Sequence, residues 1–245
     1  MQFEGRSVLI TGAASGIGLT TAQAFATQGA RVIGVDLGGS VVEAVGGLPG
    51  SGHLAIVKDL TVEGAAEDVV AEAVAGGAGL DVLVNSAGVA LLDPALSVPR
   101  ARWQATLDVN LTASFFMAQA AGRVMVERGY GRIINLASQA AIIGLADHAA
   151  YCASKAAIVG LTHVLSLEWA RFGVTVNAVS PTVVETPLGK QAWAGEKGER
   201  AKEAIPVGRF AQPEEVASLI CYLAGPDAAM ITGTNVVIDG GFTTV

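Results

Sequence analysis

The chain has 245 residues, 51% of them hydrophobic and 5% aromatic, which suits one α/β domain with a core large enough to need no disulfide staples. Its formal net charge is −7, from 15 Lys and Arg against 22 Asp and Glu, and this argues against nucleic-acid or anionic-membrane partners, which need clustered cations. The two cysteines, Cys152 and Cys221, lie far apart and the three histidines, His53, His148 and His163, have no ligand spacing, so neither a disulfide framework nor a metal site is expected. The first residues carry no signal-peptide pattern, and the charge-free run at 133–146 is too short to span a bilayer and contains Asn135, Ser138 and Gln139. A soluble, cytoplasmic chain is the expectation.

Residues 7–11 form a short apolar run that reads as a buried parallel strand. It opens at once into Gly12, Ala13, Ala14, Ser15, Gly16, Ile17 and Gly18, and residues 19–28 read as a helix stopped by Gly29. Strand, glycine turn and helix form the context of a dinucleotide site. The glycines let a pyrophosphate approach the backbone, and the helix start offers free N–H groups and a positive dipole end. Residues 31–36 are a second strand ending in Asp36, about twenty residues past the glycines, where a carboxylate accepts hydrogen bonds from an adenosine ribose. That charge would repel the extra phosphate of NADP, Ser15 supplies no cation for it, and Leu37 follows. NAD is therefore expected over NADP.

Residues 38–52 are glycine-rich, weakly helical and expected to be mobile. A third strand at 53–58 leads to Asp59 and Leu60, a helix is expected at 62–75, and a fourth strand at 81–85 opens into Ser86, Ala87 and Gly88. Such alternation predicts a Rossmann-type, doubly wound parallel sheet in a single domain over 1–245. Residues 100–128 read as one long helix containing Asn110. Strand 131–137 ends at Ser138, and helix 147–172 carries Tyr151 and Lys155 one turn apart on one face. A lysine ammonium beside a tyrosine favours the phenolate and lowers its pKa, which fits the tyrosine to exchange a proton with an alcohol or ketone. A sixth strand at 174–179, an irregular stretch at 181–210, a helix at 212–224 and a last strand at 235–239 complete the chain.

Taken in order, these motifs resemble the short-chain dehydrogenase/reductase family over residues 6–241. Thr11, Gly12, Gly16, Ile17 and Gly18 resemble its cofactor turn, and Asp59 with Leu60 its adenine-contacting pair. Asn85, Ser86, Ala87 and Gly88 resemble its N-N-A-G motif, with Ser86 replacing the second Asn. Asn110, Ser138, Tyr151 and Lys155 match its catalytic tetrad. Ser180, Pro181 and Thr182 depart from the family's Pro-Gly, while Val184 and Thr186 keep the positions that contact the carboxamide.

The resemblance implies an enzyme that binds NAD through Gly12, Ser15, Gly16, Ile17, Gly18, Asp36, Leu37, Asp59, Leu60, Asn85, Ala87, Gly88, Tyr151, Lys155, Pro181, Val184 and Thr186. It implies Tyr151 as the acid–base and Lys155 as the group that lowers its pKa and holds the ribose. Ser138 would bind the substrate oxygen, and Asn110 would anchor a water between Lys155 and solvent. Hydride passes directly, with no metal required. Ser138, Gln139, Ala140, His148, Tyr151, Thr182 and Trp193 are the expected substrate contacts. Residues 181–189, with Trp193 and the charged run 196–199, are similar to the family's sugar-alcohol dehydrogenases, such as those for threitol and galactitol. The expected substrate is thus a small polyol, oxidised to a ketose. A 3-oxoacyl thioester reductase is the alternative, disfavoured by Asp36, and an idle dinucleotide-binding sensor a further one, disfavoured by the intact tetrad. Residues 186–206 would form a lid around Trp193, unless Trp193 packs permanently on the body. The Ala-rich helices at 100–128 and 147–172 would pair subunits in a homotetramer.

Overall fold

The structure is a computed structural model that describes residues 1–77 and 79–244; Ala78 and Val245, both inside the expected domain, lie outside the described residues. The short β-branched runs form β1 (Ser7–Thr11), β2 (Arg31–Asp36), β3 (Leu54–Val57), β4 (Val82–Asn85), β5 (Gly131–Leu136), β6 (Val174–Pro181) and β7 (Asn235–Ile238). All pair in parallel, in the order β3-β2-β1-β4-β5-β6-β7. This is the doubly wound sheet expected from the alternation. Strand order reverses between β1 and β4, which opens a crevice at their C-terminal ends.

Successive strand residues face opposite sides, so each face of the sheet gathers its own core. Val8, Ile10, Val32 and Val84 pack with Phe25 of α1 (Gly16–Thr27), Val41 and Val45 of α2 (Ser40–Gly46), and Val216 and Ile220 near the chain's end. Leu9, Ile33, Leu83 and Ile133 pack with Val69 and Val70 of α3 (Ala65–Ala73) and with Met117 and Met125 further on. The stretch expected to be mobile at 38–52 therefore contains an anchored helix. Val41 and Val45 are buried, and Gly34 makes room for them, since a Cβ there would lie 2.5 Å from Val45 Cγ2.

The long helix expected at 100–128 is three pieces: α4 (Arg100–Leu107), a π turn at Asp108–Thr112, and α5 (Ala113–Arg128), which Gly129 ends with φ +69°. The next, α6 (Ala149–Trp169), begins two residues later than expected and closes with a 3-10 turn at Ala170–Phe172. This segment is long and apolar enough by composition to cross a membrane, but here Ile158 and Leu165 are buried in the fold. The irregular stretch holds two short helices, α7 (Pro187–Ala192) and α8 (Glu196–Glu203). Finally, α9 (Pro213–Ala224) starts with a capping box between Gln212 and Glu215 and packs against α1.

Candidate active site

The glycine turn is built at the end of β1. Thr11 Oγ1 accepts the N–H groups of Ser86 and Ala87, both at 3.1 Å, and so ties β1 to the turn after β4. Gly12 has φ +69°, and a Cβ on it would sit 2.9 Å from Ala87 Cα. A Cβ on Gly18 would lie 2.1 Å from Gly12 O. The backbone can close this tightly only without side chains. At the start of α1 Ser15 makes no side-chain cap and no acid stands in the first turn, so the dipole end and its N–H groups are uncommitted among the described residues. Asp36 Oδ2 accepts Ala14 N–H at 3.1 Å, and its Oδ1 accepts Gly38 N–H at 3.3 Å. A carboxylate and an open helix start thus face one cradle, which fits a dinucleotide's pyrophosphate and ribose.

Around this cradle the expected contacts differ in how free they are. Leu37 is exposed beside Asp36, and Leu60 is half-buried. Asp59 Oδ1 already accepts the N–H (2.9 Å) and hydroxyl (2.6 Å) of Thr61, which lowers its pKa. Asn85 turns inward: its Nδ2 donates to Ser114 O at 3.1 Å and to Asn135 Oδ1 at 2.9 Å, and Asn135 donates on to Thr162 Oγ1 at 3.0 Å. It is a strut linking β4, β5 and α6, and its side chain is buried away from the cradle.

The tetrad residues come together from three elements. The π turn presents Asn110, whose Oδ1 accepts Val89 N–H at 2.8 Å and whose Nδ2 donates to Val89 O at 2.9 Å and Ser154 Oγ at 3.1 Å. This clamp holds the strand-end turn beside α6. Lys155 is buried and donates from Nζ to Leu136 O at 2.7 Å. Gly88 lies between the two, since a Cβ there would be 3.3 Å from Asn110 Oδ1 and 3.6 Å from Lys155 Nζ. Ser138, at the end of β5, accepts Ala140 N–H at 3.1 Å and stands close enough to Tyr151 to influence its titration. The Lys155 ammonium lies 5.7 Å from the Tyr151 ring centre.

Burial dominates the electrostatics of the pair. Burial is the main influence on Tyr151 and pushes its pKa up from 10.0; neighbouring Ser138 opposes this and Cys152 adds to it. The Tyr151 side chain as a whole is half-buried. Burial also pushes Lys155 down to about 8. Both groups are desolvated, so burial drives each towards its neutral form. The sequence shows that the two share a helix face; it does not show how little water reaches them.

The candidate substrate contacts fall into two groups. Gln139 and Ala140 are buried beside Ser138, and Gln139 Oε1 has no hydrogen-bond partner among the described residues. The His148 ring meets the Tyr151 ring edge-on at 6.0 Å. Across the crevice, Pro181 ends β6, Val184 and Thr182 are buried, and Thr182 N–H continues the sheet by donating to Ile238 O at 3.2 Å. The departure from Pro-Gly thus leaves extended backbone pairing intact at this point. Thr186 caps α7 through Gly189 N–H at 3.0 Å, and its methyl is 3.2 Å from where a Cβ on Gly16 would be. Trp193 stacks edge-on against Phe210, with centroids 6.1 Å apart, under the Lys197 ammonium at 4.5 Å.

The sequence reading missed one feature beside Tyr151. Asp147, taken as the start of the helix, has φ +65° and lies outside it, with its carbonyl accepting Asp93 N–H at 3.0 Å. Aspartate favours helix starts and also tolerates left-handed backbone, so its identity alone supports either reading. Among the described residues, no group of three or more His, Cys, Asp or Glu could hold a metal ion.

A family model described as Enoyl-(Acyl carrier protein) reductase matches residues 12–243. The chain is 49% identical over 235 residues to the NAD-dependent glycerol dehydrogenase of Listeria innocua, covering 96% of this chain and 92% of that protein. It is 48% identical over 247 residues to the D-threitol dehydrogenase of Mycolicibacterium smegmatis, covering 99% and 94%. A solved structure of a short chain dehydrogenase/reductase family protein superposes with a TM-score of 0.92 at 33% identity, covering 100% of both chains. Likeness of this extent, in sequence and in fold alike, assigns the chain to the short-chain dehydrogenase/reductase family.

Proposed function

We propose that this chain is an NAD-dependent dehydrogenase that oxidises a secondary alcohol of a small polyol to a ketose. The observation that carries the reading is the meeting of Ser138, Tyr151 and Lys155 beside the glycine turn, at the C-terminal edge of the sheet. The glycerol and threitol dehydrogenases, each near one half identical over almost the whole chain, support the substrate class. Gly12, Gly16, Gly18 and Asp36 would hold NAD, which would supply the hydride acceptor.

The chain's own residues handle position and the proton. Ser138 fixes the substrate oxygen against Tyr151. Tyr151 accepts the hydroxyl proton, and as burial alone opposes the phenolate, the Lys155 ammonium is the nearby group that favours it. Asn110 holds Val89, which keeps Gly88 close to Lys155. Gln139 and His148 are the polar groups beside Tyr151 suited to a substrate's other hydroxyls. Residues 186–206 are read as a lid, supported by the contact of Thr186 with the Gly16 turn, and the subunits as a homotetramer.

A screen of glycerol, D-threitol and galactitol with NAD, followed by NADH absorbance, tests the reading. Turnover of at least one polyol is expected, with Tyr151→Phe about 1,000-fold slower while still binding NAD. Reduction of 3-oxoacyl thioesters with NADPH, and no polyol turnover, would replace it with the thioester reading.

A further inference from the structure

We propose that Asp93 is a positioning residue: together with Arg102 it holds the turn at Asp147 and His148, and so the His148 ring, against Tyr151. Its effect on substrate rests on the function proposed above. Asp93 lies in the segment between Gly88 and α4, remote in sequence from Tyr151. Its N–H donates to Asp147 O at 3.0 Å, and it pairs with His148 in an isolated parallel bridge. Its carboxylate Oδ2 is 2.9 Å from Arg102 Nε on α4. That N–H is not aimed along the oxygen, so the contact is an ion pair rather than an aligned hydrogen bond. The carboxylate is largely covered, with 18% of the side chain exposed, and Arg102 also reaches back to Leu92 O at 3.5 Å.

The held turn is the kind that needs holding. Asp147 is the one non-glycine with positive φ among the described residues, and such backbone persists where its surroundings over-determine it. The restraints on its two sides are the Asp93 N–H on its carbonyl and the bond from His148 N–H to Leu145 O at 3.2 Å. His148 then starts α6: its carbonyl accepts Cys152 N–H at 2.7 Å, in the turn that carries Tyr151. Its Nδ1 is tied to Ala146 O, which sets the ring plane edge-on to Tyr151. A chain of contacts therefore runs from Arg102 through Asp93 to the two rings at the substrate side of the tetrad.

The test compares wild type, Arg102→Ala, Asp93→Asn and the conservative Arg102→Lys. In Arg102→Ala and Asp93→Asn, amide exchange at Asp93 and Cys152 is expected to be about tenfold faster, with exchange in β1 unchanged and Arg102→Lys close to wild type. With D-threitol as the probe, KM for the polyol should rise about tenfold, while KM for NAD stays within about twofold. Unchanged exchange at Asp93, or faster exchange throughout the sheet, would overturn the proposal, as would equal increases in both KM values. If wild type turns over no polyol, the substrate reading falls, and exchange alone decides whether Asp93 holds the turn.

Discussion

Lys155 is the residue where function and stability conflict most directly. Its ammonium is buried with Leu136 O as hydrogen-bond acceptor, and burial lowers its pKa from 10.5 to about 8. A lysine with a depressed native pKa destabilises the fold while it is charged. The cost is fully present below about pH 8 and is relieved as pH rises towards 10.5, because the unfolded chain then binds the extra proton. Tyr151 acts in the opposite sense, but only above about pH 10, where a free tyrosine ionises and this one holds its proton. Between about pH 7 and pH 9.5, wild type should therefore gain about 2 kcal/mol relative to Lys155→Met in urea unfolding. A difference independent of pH would mean that Lys155 is better solvated than its burial indicates. Gly18 poses a steric problem instead. A methyl at that position would collide with Gly12 O, so Gly18→Ala should fold with a displaced turn and lose NAD affinity by about tenfold or more, measured by titration. The glycine turn, Asp36 and the Tyr151–Lys155 pair are written in residue type and spacing, whereas Asn110 and Ser138 enter only through the family resemblance. The inward turn of Asn85 and the raised pKa of Tyr151 are not legible in the sequence, because both depend on what surrounds a side chain in three dimensions.

At the scale of elements, the strands were read closely, since each is a short apolar run bounded by turn residues. The errors fall where a local signal has two meanings. Periodicity runs unbroken through Asn110, yet the helix there widens into a π turn, a local distortion that often marks a functional site. Residues 38–52 look like a flexible glycine loop, but Val41 and Val45 find a partner face on β2 that the local sequence does not reveal. Packing between α5 and α6 has a similar hidden requirement. A Cβ on Gly122 would lie 2.7 Å from Trp169 Cη2, so these helices approach at a point where one contributes no side chain. Gly122→Ala should cost about 1–3 kcal/mol through overpacking, read as a lower urea midpoint with unchanged slope. Combining it with Trp169→Phe should recover part of that loss by removing the colliding edge. If the double variant is as unstable as the sum of the singles, the Gly122 contact is not the cause.

At the scale of the whole molecule, the outer side of α5 and α6 is an apolar surface that the single chain leaves uncovered. Phe116, Val164 and Leu167 are 43%, 50% and 83% exposed, on helices whose inner sides already fill the core. Beside them lies an open groove of about 710 Å³, lined by Gly122, Val126, Leu167 and Trp169 and rimmed by Arg123, Glu168 and Arg171. The groove is formed by residues remote in sequence from Ser138, Tyr151 and Lys155, so it is not the substrate crevice. It also accounts for the membrane-like composition of α6, which is apolar on its sheet side and again on its outer side. Apolar patches rimmed by both signs of charge suit a self-complementary interface, in which Arg of one copy meets Glu of the other. We propose that two copies pair across this face and that two such pairs make the tetramer. Light scattering at micromolar concentration should give the tetramer for wild type. Leu167→Glu, which sets a like charge near Glu168 on both sides of the two-fold axis, should reduce it to dimers or monomers with the fold intact by circular dichroism. A monomeric wild type would refute the assembly outright. A Leu167→Glu protein that remains a tetramer would move the interface to another face.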